Sequence, residues 1–165
     1  MNDYILKQDN SILHFFTIPN QGIAVRTKKL NLWHNHRVLL PGSVGAFSVF
    51  QDEIQGISLV AITPANEIQY TIIKGSEEKS FILTKLKEEM VVKNISLFKT
   101  PIGMNIIYTA GYLGKLLLVH CFLGNNARPD TIDEIKTQAF AIYNNAVYYT
   151  NSAGVLGYKN LSDGK

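Results

Sequence analysis

Leu13-His14-Phe15-Phe16-Thr17, then Pro19-Asn20-Gln21-Gly22, then Ile23-Ala24-Val25-Arg26-Thr27: an apolar run ending in threonine, a turn, and a second apolar run. The pattern returns as Leu59-Val60-Ala61-Ile62-Thr63 with Pro64-Ala65-Asn66-Glu67, and as Ile106-Ile107-Tyr108-Thr109 with Ala110-Gly111-Tyr112-Leu113-Gly114. A last copy reads Val147-Tyr148-Tyr149-Thr150 with Asn151-Ser152-Ala153-Gly154. The threonines lie 46, 46 and 41 positions apart, a pitch that marks a repeat architecture.

The flanks align once the hairpins do. Ahead of each stands an alternating stretch: Tyr4-Ile5-Leu6-Lys7-Gln8, Phe47-Ser48-Val49-Phe50-Gln51, Ile95-Ser96-Leu97-Phe98-Lys99 and Phe140-Ala141-Ile142-Tyr143-Asn144. Period two is the mark of a strand with two distinct faces. Behind each hairpin lies a third strand: Ile23–Thr27, Ile68–Ile73, Leu116–Phe122 and Val155–Tyr158. Arg37–Leu40, Phe81–Thr84 and Thr131–Ile135 read as fourth strands, with Pro41-Gly42, Pro101-Ile102-Gly103 and Gly124-Asn125-Asn126 as turns. Between Lys79 and Val92 the residues Ile82, Leu86 and Met90 also fit a helical face, but the repeat register favours strand then loop.

Four antiparallel units of this kind resemble the blades of a β-propeller, whole or partial, over units of about 3–43, 44–92, 93–136 and 137–165 of one domain. A β-sandwich with coincidental spacing is the alternative. Ser76-Glu77-Glu78-Lys79-Ser80-Phe81 and Ser162-Asp163-Gly164-Lys165 resemble worn Asp-box turns of sialidase-like propellers, where the box is structural. An active sialidase would need an arginine cluster, and Arg26, Arg37 and Arg128 lie on different parts of their units. The fourth unit is expected to lack an outer strand, which leaves a four-bladed ring with one thin blade, a ring completed by a second chain, or a piece of a longer protein; an uncovered edge favours association.

The composition narrows the class. A length of 165 residues suits one domain with a substantial core, and 46% hydrophobic against 18% charged residues fits neither a disordered tail nor a membrane protein. The net charge of +3 comes from scattered Lys and Arg, so no basic stripe points to nucleic acid. One cysteine, Cys121, and a start without a leader pattern give the expectation of a cytoplasmic protein.

Trp33-His34-Asn35-His36-Arg37 is the most conspicuous local cluster. On a strand His34 and His36 would share a face, but no third ligand stands at a metal-site spacing, so no metal and no cofactor are expected. An exposed polar turn between the third and fourth strands, with Trp33 packing between blades, is the plainer reading. His120 and Cys121 point to opposite faces of a strand and cannot act as a base–nucleophile pair, which leaves Cys121 as core. Asp52-Glu53 and Asp130 with Asp133-Glu134 fall at expected turns, where carboxylates are solvated.

The reading that follows is a non-enzymatic binding or assembly module that associates with itself or another protein. The alternative is carbohydrate binding, or a glycoside-hydrolase relative, with aromatic rings as sugar platforms. Trp33, His34, His36 and Tyr112 are the candidate binding residues.

Overall fold

The computed structural model describes residues 3–43, 45–54, 56–124 and 128–161. Their regular structure is entirely strand, so no helix is long and apolar enough to cross a membrane. Two compact units divide the chain, Met1–Lys85 and Leu86–Lys165.

The first unit holds two antiparallel meanders. In one, β1 (Tyr4–Gln8), β2 (Ser11–Ile18), β3 (Gly22–Lys29) and β5 (Arg37–Pro41) lie side by side, with the two-residue β4 (Leu32–Trp33) pairing the far end of β3. The other runs β6 (Phe47–Asp52), β7 (Gly56–Ile62), β8 (Glu67–Lys74) and β9 (Glu77–Lys85). Alternation decides which side chains meet. Phe15, Ile23 and Leu40 from the first sheet pack with Phe47, Val49, Ile57, Leu59 and Ala61 from the second. Each large apolar side chain so enclosed contributes about 1.5–3 kcal/mol. His14 and Phe16, one position out of phase with Phe15, fall on the opposite, open face of the first sheet.

The second unit is a single six-stranded sheet: β10 (Val91–Thr100), β11 (Gly103–Tyr112), β12 (Lys115–Phe122), β13 (Asp130–Tyr143), β14 (Ala146–Asn151) and β15 (Leu156–Asn160). The expected strands Thr131–Ile135 and Phe140–Asn144 are parts of one element. β13 pairs β12 through Asp130–Glu134 and β14 through Ile135–Tyr143, with a register shift between Ile135 and Phe140. Asn144 itself leaves the strand: it and Asn145 have φ of 48° and 61°, the left-handed pair of a tight hairpin. The core joins Phe98, Ile107 and Leu118 to Ile135, Val147, Tyr149 and Leu161.

Other expectations are adjusted. The third hairpin does not turn after Thr109, because Gly111 and Tyr112 go on pairing with Leu116 and Lys115; the turn is Leu113-Gly114. Thr63 does sit at its turn, its hydroxyl accepting the Glu67 N–H at 3.2 Å. Asp133 and Glu134 lie in a strand, as the reading of Thr131–Ile135 has it and not at a turn, since the apolar Ile132 and Ile135 beside them are drawn into the core. The segment from Lys79 is strand to Lys85, followed by a turn in which Leu86 and Met90 are buried. Strand β4 was not expected. Asn125-Asn126 and Ser162–Lys165 lie outside the described residues.

Candidate functional site

Between the two sheets of the first unit lies a cleft of about 390 Å³. Its floor is Leu13, Phe15, Val25, Ile57 and Ile73, inward-facing residues by the same alternation that builds the core. Its rim is polar: Gln8, Thr27, Asn35 and Arg37. Arg37 at the start of β5 forms an ion pair with Glu78 at the start of β9, so the two sheets are tied by charge beside the cleft. Gly75, in the β8–β9 turn, has φ +62° and no atom within 4 Å of an added Cβ, which leaves that side open. An adjoining pocket of about 290 Å³ shares Gln8, Ile57 and Gly75 and extends to Lys7, Asp52 and Glu53. Asp52 is buried, and its Oδ1 accepts the Ile54 N–H at 2.7 Å, so that carboxylate is committed to its turn.

The open face of the first sheet carries a second arrangement. The Arg26 guanidinium lies 4.5 Å above the Trp33 ring and 5.5 Å from that of Phe16. Arg26 Nε donates to His14 Nδ1 at 2.9 Å, and His14 Nε2 lies 3.1 Å from Asp3 Oδ2. Arginine cannot accept, so Nδ1 is the acceptor, and the ring proton on Nε2 is donated to Asp3. His14 also stacks on Phe16 at 4.8 Å.

Of the expected binding residues, the structure brings Trp33 and His36 to this one face, His36 standing edge-on to Phe16 at 6.1 Å. His34 is exposed, its N–H bonded to the Thr27 carbonyl, and both it and His36 lie outside any strand, so the strand alternation that would set the two rings on one face does not apply. No group of metal-ligating side chains occurs among the described residues. Tyr112 belongs to the second unit, where the Lys87 ammonium lies 4.8 Å from its ring. Gln8 and Glu78 were missed: single polar residues in strands carry no motif, and only the packing of the strands brings them beside Asn35 and Arg37 of the Trp33 cluster.

In the second unit His120 is buried and bonded to Asn105 Oδ1 at 2.8 Å, and Asn105 Nδ2 donates to Thr100 Oγ1 and to the Gly103 carbonyl. Burial chiefly, with Lys159 nearby, lowers its pKa against the opposing pull of Asp130. Cys121 is buried on the other face, and desolvation pushes its thiol up to about 11. Asp133 accepts the Tyr149 hydroxyl at 3.0 Å; burial first, then this bond, raises the tyrosine pKa. His120, Cys121 and Tyr149 are thus buried groups of this unit.

No protein-family model and no curated protein sequence matches the chain. Solved structures do. A mutant of the Aleuria aurantia lectin in complex with α-methyl-L-fucoside superposes with a TM-score of 0.60 at 11% identity, covering 94% of this chain and 57% of that one. A triple arginine-to-alanine mutant of AofleA from Arthrobotrys oligospora gives 0.59 at 16% identity, covering 94% and 52%. An α-L-arabinofuranosidase from Clostridium thermocellum gives 0.54 at 13% identity, covering 95% and 66%. The chain thus spans between about half and two thirds of the length of these similar proteins. Its fold is all-β and propeller-like, built from antiparallel sheets.

Proposed function

We propose that this chain is a non-catalytic carbohydrate-binding module, and that the cleft between its first and second sheets receives a neutral sugar. The observation that carries the reading is the Arg37–Glu78 pair beside an apolar floor of monosaccharide size. Sugars offer both an apolar ring face and a dense set of hydroxyls, and a site with a greasy base and a few fixed polar groups complements both. The likeness in fold to a lectin crystallised with a fucoside supports this class over a purely structural role. Binding without cleavage is in keeping with Glu78 being paired with Arg37 and Asp52 holding its own turn, which leaves Glu53 as one further carboxylate of the adjoining pocket.

A neutral-glycan array followed by calorimetric titration of the best ligand tests the reading. Binding that falls about tenfold or more in Arg37→Ala supports it. A blank array, or equal binding by that variant, sinks it.

A second reading, self-association, has one observation in its favour. Tyr143, Leu156 and Tyr158 are exposed on one face of the last sheet, with Tyr148 stacked on Tyr158 at 5.7 Å. Light scattering that finds only an 18.5 kDa monomer at high concentration removes it.

A further inference from the structure

Arg26 is held in a way that packing alone does not require. Its guanidinium lies between two aromatic rings, and its Nε is fixed by His14. His14 is itself fixed by the Phe16 stack and by Asp3. A guanidinium has five N–H donors; among the described residues only the Nε–H is bonded, and the terminal Nη groups have no acceptor. An arginine whose stem and Nε are immobilised presents those groups as a preset fork, the geometry that fits a planar carboxylate with two parallel hydrogen bonds. Lys28, two residues along the same strand and 5.8 Å from the Trp33 ring, adds a second positive charge to this face. Trp33 retains 40% exposure beside the fork, enough indole to meet the ring of a ligand. Asp3 is the negative group here, and it is engaged by His14.

We propose that the open face of the first sheet is a second binding site, distinct from the cleft, that takes a carboxylate-bearing sugar. Arg26 grips the carboxylate, Lys28 adds long-range attraction, and Trp33 stacks against the pyranose. The assignment does not depend on the cleft binding anything.

Trp33 is the only tryptophan in the chain, so its fluorescence reports on this face alone. The experiment titrates the protein with oligogalacturonate, with its neutral methyl ester and with a sulfated oligosaccharide, and repeats the first titration by calorimetry. Oligogalacturonate shifts the Trp33 emission and the methyl ester does not. Arg26→Lys keeps the charge but loses the fork, and weakens oligogalacturonate binding about tenfold while the melting temperature stays near that of the parent. Lys28→Ala weakens it by a factor of about two to three, an effect that salt removes. Arg37→Ala leaves it unchanged, which separates this site from the cleft. Equal binding of the methyl ester, unimpaired binding by a folded Arg26→Lys, or no response to oligogalacturonate overturns the proposal. Tighter binding of the sulfated oligosaccharide overturns its assignment to a carboxylate.

Discussion

The Arg37 guanidinium on the last strand of the first sheet pairs with the Glu78 carboxylate on the last strand of the second. Both groups are partly exposed, so solvent screens their attraction and the pair contributes less than about 1 kcal/mol to folding. A double-mutant cycle of Arg37→Ala and Glu78→Ala in urea is expected to give a coupling in that range. The same substitutions are expected to weaken sugar binding about tenfold, so the pair shows its effect in affinity and not in stability.

Thr109 is buried in β11, and its hydroxyl has no hydrogen-bond partner among the described residues. A buried, unsatisfied hydroxyl is costly, and valine keeps the shape without it. Thr109→Val is expected to raise unfolding stability by about 1 kcal/mol, measured by chemical denaturation. Thr109→Ser, which keeps the orphan and loses the methyl, should lower it.

Gly22 and Gly75 both have positive φ but differ in surroundings. At Gly22, with φ +132°, an added Cβ would sit 2.1 Å from the Leu40 carbonyl oxygen; at Gly75 it would meet nothing. Gly22→Ala is therefore expected to cost about 3 kcal/mol or more, from backbone strain and collision together. Gly75→Ala carries only the left-handed penalty of about 1 kcal/mol. Thermal melts of the two variants, compared side by side, check the difference.

Burial of the Cys121 thiol predicts chemical inertness. With its pKa pushed up to about 11, it is scarcely thiolate at neutral pH. A thiol reagent at pH 8 should leave the native protein unmodified and label it fully in denaturant. The raised value means that the native state holds this proton more tightly than the unfolded chain does. Its contribution to stability is whole below about pH 9 and declines as pH rises towards 11.

His120 acts in the opposite sense. Its pKa is lowered in the fold, mainly by burial, so the unfolded chain takes up a proton first as the solution is acidified. Stability is expected to be intact above about pH 6.5 and to fall as pH drops through the lowered native value. Denaturation midpoints across pH 4–8 measure this, and His120→Gln should flatten the acid limb.

The repeat was legible because strands write their faces into the chain. The alternation of Tyr4–Gln8 and of Phe47–Gln51, and the hairpin at Thr63, gave the strands and much of their pairing order from sequence alone. The continuity of β13 was not legible. Lys136, Thr137 and Gln138 look like a loop, and only pairing on both sides draws them into a strand. Nor was β4, since a two-residue strand has no period to read. The cluster at Trp33 announced itself by composition. The cleft did not: Asn35 and Arg37 of its rim lie in that cluster, but Gln8 and Thr27 come from strands with no polar pattern, and only the pairing of strands gathers the four.

The strand shared by the last two repeats bears on how such a protein can be remodelled. Elsewhere a short connector lies between the strands of successive repeats along the chain, as at 42–46 and 86–90. At β13 there is none, and the threonine spacing falls there from 46 to 41. One extra residue among Lys136–Ala139 would turn Phe140 and Ile142 out of the core and bring Ala141 and Tyr143 in. The first and second repeats have a seam at which a blade could be copied, swapped or lost. The third and fourth have none, and natural recombination or design must treat them as one indivisible cassette.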